Sequence, residues 1–329
     1  MKTATSLRRF LLTLATGATG AVFALAPSIS TAAASESFQI SPPTANYSGD
    51  HGGAAAGKIK VNNLTNTPLT LKVGKANFVA KGEEGEVELT DNADPLYSLS
   101  PWFNVNATQV DLPALGTKEV TYTIAIPADA EPGGRYGSIV FSSIPPALPS
   151  GQSGAAVQQD LGGLVFLRIN GPAKEQLSVE TFETGHLSAK SAWSPASFFQ
   201  HGPVDFLTRL KNTGNVHEKA TGTITIKNAF GFTVAKLPLD QHFVIPGAIR
   251  RLHNSWANGA KKPFLFGPYT ATLDAKYDDG KTLTASTHFT VIPLAQVAIV
   301  LIILILLILF FWKGRKRFAR ALRILAGKE

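Results

Sequence analysis

Residues able to do chemistry are few in this chain, and they are scattered. There is no Cys, which excludes a thiolate metal site, a Cys nucleophile and a disulfide frame. The seven histidines, His51, His186, His201, His217, His242, His253 and His288, fall at no metal-ligand spacing, so surface and turn roles are expected of them. Asp91, Asn92 and Asp94 in Thr90-Asp91-Asn92-Ala93-Asp94-Pro95 are the best cation candidate. Ca²⁺ takes about six to eight oxygens, however, and an Asx-rich turn is the plainer reading. Glu83, Glu84, Glu86 and Glu88 offer paired carboxylates of the kind a glycan hydrolase uses. With no partner acid at a defined position, they read as a solvated edge strand guarded against aggregation. Trp102, Trp193 and Trp256 could stack on sugar rings; packing in sandwich cores and corners is the expected role. Asn46, Asn63 and Asn106 stand in Asn-x-Ser/Thr patterns, which matter only where the source glycosylates. No HExxH, GxSxG, P-loop or dinucleotide-binding glycine motif occurs. Neither a catalytic centre nor a metal or cofactor site is predicted, and the chain reads as a non-enzyme.

The elements that would hold these residues are strands. Tyr269, Ala271, Leu273, Ala275 and Tyr277 alternate with Thr270, Thr272, Asp274 and Lys276, the period of a half-buried strand. Asp279-Gly280 supplies a tight turn, and Thr282 to Val291 the return strand of a hairpin. Val120, Tyr122, Ile124 and Ile126 alternate in the same way, and Ile59, Val61, Leu69, Leu71, Val73, Val87 and Leu89 mark further short strands. Turn signals between closely spaced strands predict antiparallel sandwiches. An internal repeat supports duplication: Leu112-Pro113 and Gly134-Arg135-Tyr136 recur as Ile245-Pro246 and Gly267-Pro268-Tyr269, both at an offset of 133 residues. Val61-Asn62-Asn63 and Leu210-Lys211-Asn212 each close a strand with Asn before a turn. Gly134 with Tyr136, and Gly267 with Tyr269, read as structural corners in which Gly permits a tight entry and Tyr buries its ring. Pro145–Gln159 reads as a long loop before an apolar strand, Leu161–Ile169, that the first sheet needs. The predicted architecture is all-β: two tandem immunoglobulin-like β-sandwiches, 35–172 and 173–292, followed by a single transmembrane helix.

The two ends carry the targeting signals. Residues 1–34 read as a secretory signal peptide, with Lys2, Arg8 and Arg9 before an apolar stretch and Ala32-Ala33-Ala34 before Ser35. Residues 293–312 form an apolar run long enough to span a bilayer. The basic tail 313–329 follows, with Trp312 at the interface and Lys313, Arg315, Lys316 and Arg317 on the cytoplasmic side by the positive-inside rule. The formal charge of +8 belongs to these ends. With three basic residues in 1–34 and seven in 313–329, the remainder holds 21 basic against 22 acidic residues. That balance removes the main support for a nucleic-acid partner. The expected location is the plasma membrane, single-pass, with the sandwiches outside.

Phe38-Gln39-Ile40-Ser41-Pro42-Pro43, Val61-Asn62-Asn63, Ser98-Leu99-Ser100-Pro101-Trp102 and Ala130-Glu131-Pro132-Gly133-Gly134-Arg135-Tyr136-Gly137 resemble the first domain of WxL-interacting surface proteins of Gram-positive bacteria. Leu210 to His217 and Gly267-Pro268-Tyr269 fit the second domain. The resemblance implies a membrane-anchored surface protein that binds cell-wall peptidoglycan through the first domain and other surface proteins through the second. The Gly/Ala-rich run Asn46–Gly57 departs from that family's pattern, and no matched position carries a defined ligand role. A binding or scaffolding protein is therefore the first expectation. An immunoglobulin-like export or assembly chaperone using an exposed strand edge is the alternative, and an envelope glycan hydrolase the weakest reading.

Overall fold

The computed structural model describes residues 37–144, 158–189, 191–257, 265–278 and 280–325, with side chains as far as Lys313. Residues 1–34, Asp279, most of Pro145–Gln159 and the side chains of Arg315, Lys316 and Arg317 lie outside that description. The described residues belong to one contact unit, Glu36–Glu329.

Ten strands precede residue 170: β1 (Phe38–Ser41), β2 (Thr44–Gly49), β3 (Ala54–Asn63), β4 (Leu69–Lys81), β5 (Glu86–Thr90), β6 (Phe103–Val105), β7 (Gln109–Leu112), β8 (Thr117–Ala125), β9 (Gly133–Ser143) and β10 (Asp160–Ile169). They form sheet A, in the order β1-β3-β8-β6, and sheet B, in the order β2-β10-β9-β4-β5 with β7 also on β4. Eleven strands follow: β11 (Leu177–Leu187), β12 (Trp193–Pro195), β13 (Phe198–Phe199), β14 (Val204–Asn212), β15 (Glu218–Lys219), β16 (Thr221–Asn228), β17 (Thr233–Pro238), β18 (Phe243–Val244), β19 (Ile249–Trp256), β20 (Gly267–Tyr277) and β21 (Lys281–Val291). Sheet C runs β12-β11-β14-β19, sheet D runs β13-β21-β20-β16-β17, and β15 pairs with β18.

The two sheet pairs share eight strands in the same order. The order β1-β3-β8 matches β11-β14-β19, and β2-β10-β9-β4-β5 matches β13-β21-β20-β16-β17. In each pair one edge strand runs parallel to its neighbour, β2 on β10 and β13 on β21. The repeat legible at 133 residues thus has a topological counterpart.

Side-chain alternation explains where each core sits. Tyr269, Ala271, Leu273, Ala275 and Tyr277 are all buried, whereas Asp274 and Lys276 face solvent, because successive residues of a strand point to opposite faces. Sheets A and B enclose Phe38, Val61, Leu71, Ile124, Phe141 and Leu167. Sheets C and D enclose Phe199, Phe206, Leu210, Ile224, Leu273 and Phe289. Asn63 and Asn212 perform the same task in the two halves, and both are buried. Asn63 donates to the carbonyls of Thr67 and Pro113 and accepts from the Thr65 N–H. Asn212 donates to those of Val216 and Val244 and accepts from the Gly214 N–H. Each satisfies turn groups that burial would otherwise leave unpaired.

The helix α1 (Leu294–Leu325) begins directly after sheet D. Its segment Leu294–Lys313 is 20 residues long with none of it buried against protein. At about 1.5 Å per residue that spans about 30 Å, the thickness of a bilayer core. A mostly β chain ending in one apolar helix is what was expected and what is found.

Candidate functional site

The outer face of sheet B does not face solvent throughout. Phe78 on β4, Tyr136 on β9 and Phe166 on β10 form a buried cluster there, and Phe243 and Ile245 from the second half pack on it. Phe166 stacks on Phe243 with ring centroids 5.1 Å apart. The His217 ring lies 5.0 Å from Phe243, 5.3 Å from Phe166 and 5.6 Å from Tyr136. Burial, with the Arg168 charge adding to it, lowers the His217 pKa to about 4. The ring is therefore neutral near pH 7, and its Nε2 lies 3.0 Å from Asn46 Oδ1. A surface or turn role was expected of this histidine, and for His217 that expectation is corrected. Its packing partners are far away in the chain, so no local spacing announces them.

The two Gly-x-Tyr corners turn out to differ. The Tyr269 ring sits in the core of sheets C and D, and its hydroxyl meets the Phe266 backbone, 3.1 Å from the N–H. Gly267 holds a φ of 99° that favours glycine. Tyr136 instead belongs to the joint cluster, and its hydroxyl is deeply buried, which pushes its pKa well above the usual phenol value. Gly134 is small for Tyr136's sake: a Cβ there would lie 1.9 Å from the tyrosine hydroxyl. Backbone contact closes the same region. Gly134 N–H donates to the Asn215 carbonyl at 2.8 Å, and Asn215 Nδ2 donates to the Pro132 carbonyl at 3.2 Å.

Charges flank the aromatic cluster on two sides. On one, Glu83 accepts from Arg209 Nε at 2.8 Å and pairs with Arg251 at 3.2 Å, while Glu84 pairs with Arg251 at 3.1 Å. The Arg209 hydrogen bond, against an opposing burial penalty, holds the Glu83 carboxyl below the usual range. Glu83 and Glu84 were read as a solvated edge; they are instead the tip of the β4–β5 turn, inserted against β14 and β19. Glu86 and Glu88 are exposed on β5. On the other side, Glu175 pairs with Arg168, and with Lys281 at 2.9 Å; Lys281 also reaches Asp278 at 3.3 Å. Glu218 beside them is buried, and burial, with Asp278 and Glu175 repelling its anion, raises its pKa to about 7.

The remaining candidates are not brought together. Asp94 caps a short 3₁₀ turn by accepting from the Leu96 N–H at 2.9 Å. Trp102 packs on the first core with the Arg135 guanidinium 5.4 Å from its ring. Trp256 is in the second core, and Trp193 donates to Glu183 at 2.7 Å. Asn63 is buried. Trp312 is exposed on α1.

The first half has a half-covered sheet edge. β2 covers β10 from Leu164 to Ile169, and among the described residues no strand lies beside Asp160–Gly163 on that side. Ser143 N–H donates to the Gln159 carbonyl on the β9 side, whereas Leu164 N–H donates to the Pro43 carbonyl on the other. The alternation places the N–H and C=O groups of Asp160 and Gly162 on the uncovered side. Of the other edges, β5 carries Glu86 and Glu88, and β17 carries Lys236 and a terminal Pro238, whereas β21 is also half-covered, since β13 meets it only at Thr290 and Val291. β19 is met by the Glu83 carbonyl, which accepts from the Arg251 N–H at 2.8 Å.

No family model and no curated protein matches the sequence. Among solved structures, the strand-rich part is similar to fimbrial chaperones. The class 5 fimbriae chaperone CfaA is 13% identical, with 77% of this chain and 99% of that chain covered at a TM-score of 0.37. The YadV chaperone is 12% identical, with 77% and 100% covered at 0.35. The E. coli chaperone DraB is 10% identical, with 78% and 98% covered at 0.34. Scores this low do not carry a function across.

Proposed function

We propose that this chain is an assembly chaperone of immunoglobulin-like type, which shields exported client chains by adding one of their strands to its own sheet. In this reading 35–172 and 173–292 are tandem immunoglobulin-like domains, α1 is a single-pass anchor, and the basic tail 313–329 lies on the cytoplasmic side. The layout shared with WxL-interacting surface proteins is kept as part of the proposal. One observation carries it: the half-covered edge of β10. A client strand laid against Asp160–Gly163 would continue the row that β2 begins, so its backbone groups would meet groups already oriented for a ladder. Leu161, Gly162 and Gly163 put neither a charge nor a proline in the way, and the one charge of the segment, Asp160, stands at its first residue. Peptidoglycan or a finished surface protein, the partner expected first, has no comparable feature in its favour.

The test uses the full chain in lipid nanodiscs with a denatured, strand-rich exported protein, followed by light scattering. The wild-type chain should suppress aggregation at near-stoichiometric ratios. Asp160→Pro removes one outward N–H at the first residue of β10, a position where proline is tolerated. It should abolish the protection and leave the melting temperature unchanged. Equal protection by this variant, or binding of wall glycan without any protection, contradicts the proposal.

A further inference from the structure

The end of sheet D from which α1 departs is fringed with phenylalanines. Phe230 is 84% exposed, Phe232 69%, Phe266 58% and Phe198 47%. Register places them together: Phe198 is opposite Thr290, Gly267 opposite Val291, and Asn228 opposite Tyr269. Phe230 and Phe232 are not on a loose loop. Asn228 Oδ1 accepts from the N–H groups of both residues, at 3.1 and 3.0 Å, and Gly231 between them holds a φ of 81°. The turn is built to hold two phenyl rings in the open, which water alone disfavours.

The same end leads into the helix. Only Ile292 and Pro293 separate β21 from α1, and Ile292 N–H donates to the Phe199 carbonyl at 2.9 Å. The three Cα–Cα steps from Val291 to Leu294 reach at most about 11 Å, so the start of α1 lies close to the level of the phenyl fringe. We propose that Phe198, Phe230, Phe232 and Phe266 insert into the headgroup region of the bilayer that α1 crosses, seating sheets C and D on the outer leaflet. This rests on the reading of α1 as an anchor. Phe rings on the apolar face of a membrane-bound surface bury at the headgroup–acyl boundary, and burying them there adds apolar contact to the hold of the helix. The seat would fix the direction in which the β10 edge is presented.

The absence of Cys allows a unique label. Ala229→Cys, beside the fringe, and Asp91→Cys, in the first half, each carry bimane in full-length chain reconstituted with phosphatidylcholine and phosphatidylglycerol. Nitroxide lipids labelled near the headgroup should quench the first severalfold more than the second. Adding Phe230→Ser and Phe232→Ser to the first should bring quenching towards the control value, while the chain still resists carbonate extraction. Equal quenching at both sites in a carbonate-resistant chain overturns the fringe and leaves the anchor standing. Release of the wild-type chain by carbonate overturns the anchor and the fringe with it.

Discussion

Glu218 and His217 are adjacent in sequence and opposite in their dependence on pH. Glu218 keeps its proton up to about pH 7 in the folded chain, against 4.5 as its ordinary value. The folded state therefore binds the proton more tightly than the unfolded one, and stability falls as pH rises through that window. His217 is lowered from 6.5 to about 4, so its contribution is lost as pH falls from about 6.5 to 4. The two slopes oppose each other between about 4.5 and 6.5, and Glu218 alone acts above. Glu218→Gln removes the ionisation cost and should raise stability at pH 8 by up to about 3 kcal/mol, with little gain at pH 4.5. Thermal melts of full-length chain at both values check this; an equal shift at both contradicts a titrating Glu218. Neither residue announces itself in the sequence. Val216-His217-Glu218 reads as an ordinary turn after Asn212, and the groups that perturb it come from β2, β10, β18, the segment before β11 and the turn after β20.

At the level of elements, the strands were legible because burial on one face writes a period of two into the sequence. β8 and β20 show it plainly, as does the Asn that closes β3 and β14. The β4–β5 turn was not legible. Gly82-Glu83-Glu84-Gly85 is a polar turn by composition, and only the fold brings Arg209 and Arg251 to it. Gly85 is required there because a Cβ would fall 1.0 Å from Arg250 Nη1 and φ is 87°. Tyr136 misled in a related way, since its motif matches that of Tyr269 while its ring faces the other half of the molecule. Glu83→Ala leaves two arginines without their shared carboxylate in a partly buried place, at a cost of about 1–2 kcal/mol between the surface and buried limits. Spin labels placed on β5 and β17 should report a broader distance distribution across the joint than in the parent. An unchanged, narrow distribution would mean that the aromatic cluster alone fixes the two halves.

For the whole molecule, a rigid joint makes the location of the β10 edge matter. Aromatic rings at the centre and ion clusters on both flanks tie the first half to the second, and the second leads into α1 through two residues. The edge is thereby held at a set place relative to the helix, which the proposed presentation to client chains would require. The apolar C-terminal run made the helix after the strands readable from sequence. The edge was not readable, because it depends on how far β2 runs along β10, which is a matter of register and not of composition. Hydrogen–deuterium exchange over residues 158–164 of the full-length chain in nanodiscs, with and without a bound strand-rich client, tests the claim most directly. Strand addition predicts that the Asp160 and Gly162 amides become protected on binding while β5 and β17 stay unchanged. Client binding that leaves 158–164 exchanging as before, with protection elsewhere, contradicts it.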